Sequence, residues 1–93
     1  MNILIINTAF DNADYSLYNG EDIKLIKTDS NAKHSETSLV NVDTLLNEAG
    51  IRVVDLDVIA VNLGPGSFTG IRIGVALVKG FASACDNVKL IGF

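Results

Sequence analysis

The chain has one cysteine, one histidine, one proline and no tryptophan, and several of these scarcities close a route to function. Cys85 alone can form neither an internal disulfide nor a cysteine-rich metal site, so the sequence reads as one made for a reducing compartment. Basic residues are also few. Lys and Arg total 7 against 11 Asp and Glu, for a net charge of −4, and no basic run occurs. Nucleic-acid binding rests on Lys and Arg neutralising phosphates, so the chain by itself is a poor ligand for DNA or RNA. Long apolar runs are missing too: the longest hold about four residues, where a membrane span needs about 20. The start, Met1-Asn2, carries no positive n-region, and the expected location is cytoplasmic, with no membrane partner. Charge itself is scarce at 19%, against roughly 25% in soluble domains. Apolar residues make up 48%, and mean hydropathy is +0.36. The 93 residues allow a single domain, which buries only about 60 to 65% of its unfolded surface, so some apolar area is expected to meet a partner.

What is present is a set of strand and helix patterns, three strands first and then helices and strands in turn. Ile3 to Ile6 is a continuous apolar run of strand length, the pattern of a strand buried on both faces. Asn7 to Asp14 reads as a turn, and Tyr15 to Tyr18 as a short strand. The Asn19-Gly20 hairpin signal follows, and Ile23 to Thr28 is the returning strand. Leu39, Val42, Leu45, Leu46 and Ala49 then recur at helical spacing until Gly50, a natural C′ position. Val53 to Asp57 predicts a short helical turn, and Val58 to Leu63 a second buried, parallel strand. The stretch Ile71 to Cys85, with Arg72 and Lys79 its only charges, is too long for a strand and predicts a helix apolar nearly all round. Val88 to Ile91 is a last strand. The order is βββαβαβ, an α/β class.

The strongest local signal is Gly64-Pro65-Gly66-Ser67-Phe68-Thr69-Gly70, lying between a strand and a helix. Such a turn at a helix N-terminus can cradle an anion, or it can simply let helix and sheet approach closely. Two phosphate motifs are excluded. No Gly-Lys-Ser/Thr follows, as a Walker A loop requires, and the G-x-G-x-x-x-G spacing is not that of the dinucleotide fingerprint. His34 has only Glu36 as a nearby carboxylate, too little for a metal site. Cys85 ends an apolar helix face, where cysteine usually acts as an inert small hydrophobe. Ser67, His34 and Asp11 can be written as a triad, but only composition supports it. Asn7, Asp11 and Asp14 follow the first strand, where turn propensity accounts for all three.

Three segments together resemble a known family: Met1 to Ala9, Lys33-His34-Ser35-Glu36, and above all Gly64 to Gly74, reading GPGSFTGIRIG. They are similar to the N-terminal domain of the bacterial TsaB (YeaZ) family, and the likeness extends over the whole chain. The resemblance implies an actin/Hsp70-like (ribonuclease H-like) domain with a mixed five-stranded sheet. It implies that residues 1–93 are followed in the family by a second, C-terminal domain. It also implies a subunit without catalytic residues, metal or cofactor of its own, paired with a TsaD-like catalytic subunit and working with a TsaE-like ATPase. Their shared task is adding threonylcarbamoyl to the adenosine beside the anticodon of ANN-decoding tRNAs. ATP and tRNA would then be met only through the complex, and the isolated chain would homodimerise. The competing expectation is a glycoprotease-like metallopeptidase or an actin-fold ATPase, motivated by the Gly64 to Gly70 loop and the acidic turn near Asp11; the loop, with Arg72, is expected to be structural or a weak phosphate site. The family's contact surface is helical, which in this sequence means Leu39, Val42 and Leu46 of the first helix. From the second helix it takes Ile73, Leu77 and Phe81 as anchors, and Ala76, Gly80 and Ala84 as small residues admitting a partner helix.

Overall fold

The computed structural model describes residues 1–8, 13–28, 34–66 and 68–93. Its elements run β1 (Ile3–Asn7), β2 (Ala13–Tyr18), β3 (Ile23–Thr28), α1 (His34–Ala49), a 3-10 turn (Val53–Asp55), β4 (Val58–Val61), α2 (Phe68–Ala82) and β5 (Lys89–Gly92), the order read from the sequence. One five-stranded sheet forms in the order β3-β2-β1-β4-β5. The first three strands are an antiparallel meander, while β4 runs parallel to both β1 and β5.

The register explains why one face carries the core. Leu4 stands opposite Leu17 and Ile59, and Ile6 opposite Tyr15 and Val61, so these side chains share a face under the two-residue period of strands. Both helices cover that face, α1 over β2 and β3, and α2 over β4 and β1. Val42, Leu45 and Leu46 from α1 and Val78 from α2 complete the buried cluster. Each turn has a local cause. The Asn19 side chain accepts the N–H groups of Glu21 and Asp22 at 3.0 and 2.8 Å, closing the hairpin. Gly50, at φ 68°, ends α1. Its N–H donates to Asn47 and that of Ile51 to Leu46, satisfying the last helical carbonyls in a Schellman arrangement.

Several expectations need correction. The strand expected from Tyr15 begins at Ala13, because Asp14 still pairs with Asn7 of β1 and Ala13 with Thr28 of β3. β4 stops at Val61 rather than Leu63, although the Asn62 N–H still donates to the Ile6 carbonyl and that of Leu63 to Phe93, and β5 lies one residue later than expected. α2 spans Phe68–Ala82 rather than Ile71 to Cys85. The Ser83 hydroxyl donates to the Gly80 carbonyl at 2.7 Å, and Ala84 and Cys85 bond three residues back, so the chain tightens and leaves the helix there. Ala84 therefore lies beyond the helix it was assigned to. Apolar surface also lies outside α2. The sheet's other face carries Ile5, Ile23, Leu25 and Ile91 with no described helix over it, and Ile23 is 71% exposed. Among the described residues, no helix is long and apolar enough to cross a membrane.

Candidate functional site

Because β1 and β4 are parallel, Asn7-Thr8 and Asn62 leave the sheet at the same end, beside the glycine loop. There the polar groups are engaged with one another. The buried Asn62 donates its amide to the Asn7 side-chain oxygen at 3.0 Å and accepts the Gly64 N–H at 2.8 Å. The Gly64–Pro65 peptide is cis, and Gly64 sits at φ 128°, a conformation closed to residues with a Cβ. Ser67, Asp11 and the side chains of Phe68, His34 and Glu36 lie outside the described residues. At this end of the sheet the Gly64 N–H is taken by the Asn62 side chain, and Asn7 presents an amide rather than a carboxylate. No group of three metal-ligating side chains occurs among the described residues.

The loop leads into α2 through a close contact. The buried Thr8 hydroxyl donates to the Gly70 carbonyl at 2.6 Å, and a Cβ placed on Gly74 would lie 2.7 Å from that oxygen and 3.0 Å from Val61 Cγ2. Gly70, Gly74 and Val78, one turn apart, are thus the sheet-facing line of the helix. Sequence reasoning left that side open between two other stripes, and neither Thr8 nor Asn62 was singled out, since a polar residue following an apolar strand gives no sign of what it will meet.

Both remaining sides of α2 are accounted for. Leu77 and Phe81 reach the core edge, and together with Ile73, Ala76, Gly80 and Leu39 from α1 they line an open apolar groove of about 430 Å³. Leu39 is 55% exposed. Thr69 and Arg72 extend the surface beyond Ile73 and Ala76 as a more polar hollow. The groove unites six of the nine interface residues proposed from sequence. Val42 and Leu46 are a correction: at 0% and 4% exposure they lie beneath the groove in the core, because their side of α1 faces β2 and β3. Ala84, exposed past the helix end, does not line the groove.

Elsewhere, Cys85 Sγ lies 3.2 Å from the Val53 carbonyl and 3.4 Å from that of Phe81, which gives the thiol proton acceptors. Burial first, and then the Asp86 charge, push this thiol above its ordinary range, which disfavours a nucleophilic thiolate. The Tyr15 and Ser38 hydroxyls are hydrogen-bonded to each other, tying α1 to β2 inside the core. Burial raises the Tyr15 pKa, while the bond from Ser38 acts the other way and the Asp14 charge adds a smaller upward push.

The mixed sheet in this strand order, two helices on one face and a glycine turn at the end of the central parallel pair define an actin/ribonuclease H-like α/β domain. Solved structures agree: "YeaZ from Pseudomonas aeruginosa" superposes with a TM-score of 0.89 at 28% identity, covering 99% of this chain and 42% of that one. A family model described as TsaD, tRNA N6-adenosine threonylcarbamoyltransferase, matches residues 27–92, and the chain belongs to this family, on its TsaB (YeaZ) branch. The Escherichia coli K12 "tRNA threonylcarbamoyladenosine biosynthesis protein TsaB" is 33% identical over 92 residues, spanning 99% of this chain and 39% of the relative. The Bacillus subtilis 168 protein of the same description is 36% identical over 87 residues, 84% of this chain and 36% of the relative. The chain thus spans less than half the length of the curated relatives it matches.

Proposed function

We propose that this chain serves tRNA threonylcarbamoyladenosine biosynthesis as a non-catalytic partner subunit, docking a TsaD-type catalytic subunit on the face made by α1 and α2. The TsaD-type subunit, working with a TsaE-type ATPase, carries out the threonylcarbamoyl transfer, and tRNA and ATP are met through that complex. The observation that carries this reading is the exposed apolar groove between Leu39 of α1 and Ile73, Ala76 and Gly80 of α2, on a member of this family. Helices pack at about 8 to 10 Å between axes, nearer when the contact residues are small. Ala76 and Gly80 supply that closeness, while Leu39, Ile73, Leu77 and Phe81 offer side chains to interdigitate. The composition supports the indirect relation to tRNA, since 7 basic residues against 11 acidic ones give little purchase on phosphate.

Calorimetric titration of the chain into a purified TsaD-type subunit tests the reading. A saturable complex is expected, lost on Ala76→Glu, because a carboxylate at this exposed helical position has no partner in an apolar contact. Ala76→Glu binding as tightly as the wild type would refute it.

A further inference from the structure

We propose that the glycine motif acts as a mechanical seat, with Thr8 as the positioning residue that fixes where α2 presents its docking groove; this rests on the docking role proposed above. Thr8 directly follows β1 and is buried, and its hydroxyl donates to the Gly70 carbonyl at 2.6 Å. One turn on, Gly74 has no room for even a methyl group: a Cβ would meet Thr8 Oγ1 at 2.7 Å and Val61 Cγ2 at 3.0 Å. Thr8 cannot turn aside to make that room while it keeps its bond to Gly70. A methyl at position 74 therefore either breaks the bond or lifts α2 from β1 and β4.

The consequence reaches the groove through helix geometry. At about 100° per residue, the groove residues Ile73, Leu77 and Gly80 lie roughly 60 to 120° round α2 from Gly74. None of them touches the seat in a way the substitution changes chemically, yet all move with the helix axis. Leu39, on α1, does not move with them. Lifting α2 thus alters the groove between two helices while leaving every residue on it unchanged. The Asn62 bond to the Gly64 N–H holds the loop that feeds the seat, so the motif is built into the sheet from both its ends. This gives the GPGSFTGIRIG string a use that needs no phosphate.

The test compares Gly74→Ala, Thr8→Val and Thr8→Ser with the wild type for affinity toward the TsaD-type subunit, at a temperature where each variant is folded by circular dichroism. Gly74→Ala and Thr8→Val are expected to bind about tenfold or more weakly, and Thr8→Ser, which keeps the hydroxyl, within about twofold of the wild type. Thr8→Val covers the case in which Gly74→Ala does not fold. A residue needed only for stability would lower the melting temperature without changing the affinity of the folded protein. Gly74→Ala and Thr8→Val binding like the wild type would overturn the seat while leaving the docking role standing. Failure of the wild type itself to bind would instead overturn the docking role and the seat with it.

Discussion

Gly80→Ala separates the helix from the interface, because the two respond with opposite sign. Gly80 lies in the last part of α2, exposed, and a Cβ there meets nothing within 4 Å. Glycine in a helix interior costs about 0.8 to 1 kcal/mol relative to alanine, and close to the helix end a gain of about 0.5 to 1 kcal/mol is expected on replacing it. For a domain of this size that raises the melting temperature by about 2 to 8 °C. In the proposed complex the same methyl would sit where the partner helix comes closest. Overpacking of one such group costs about 1 to 3 kcal/mol, which weakens association roughly five- to 150-fold. Thermal unfolding of the isolated chain and calorimetric titration with the TsaD-type subunit measure the two quantities. A more stable variant with unchanged or tighter binding would refute the close approach at Gly80. A less stable one would refute the account of α2 as an unstrained helix there.

The Tyr15–Ser38 pair gives a second test. Both residues are buried, so Tyr15→Phe or Ser38→Ala alone should cost about 1 to 3 kcal/mol by orphaning the other hydroxyl. The double variant should cost less than the sum in a urea-unfolding cycle. Because burial raises the folded Tyr15 pKa above its unfolded value near 10, its contribution is complete below about pH 10 and falls as pH rises through the folded pKa. Tyr15→Phe should therefore flatten the alkaline loss of stability seen in the wild type. Leu45→Ala and Leu39→Ala should divide along the groove. The first, wholly buried, should lose about 2 to 5 kcal/mol of stability, while the second, exposed, should change stability by less than about 0.5 kcal/mol and yet weaken the complex.

The chain's local rules were readable residue by residue. The apolar run Ile3 to Ile6 announced a central strand, Asn19-Gly20 the hairpin between β2 and β3, and Gly50 the end of α1. The phase of α2 was not readable, because a helix apolar nearly all round has no polar side to orient it. Its sheet-facing line is set by missing side chains at Gly70 and Gly74, and their shared partner Thr8 stands far away in the chain. The same limit misplaced Val42 and Leu46. Periodicity marks a stripe as apolar, but which part the sheet covers depends on strands brought together by the fold. The exposed second face of the sheet was hidden for a related reason, since Ile5, Ile23 and Leu25 come from strands that read as ordinary core when taken singly.

The most direct test of the docking account is methyl NMR of the chain, labelled at isoleucine, leucine and valine, titrated with an unlabelled TsaD-type subunit. The account predicts shift changes concentrated on Leu39, Ile73 and Leu77, with Ile23, Leu25 and Ile91 on the opposite sheet face unmoved. Changes confined to that opposite face, or none at saturating partner, would contradict it.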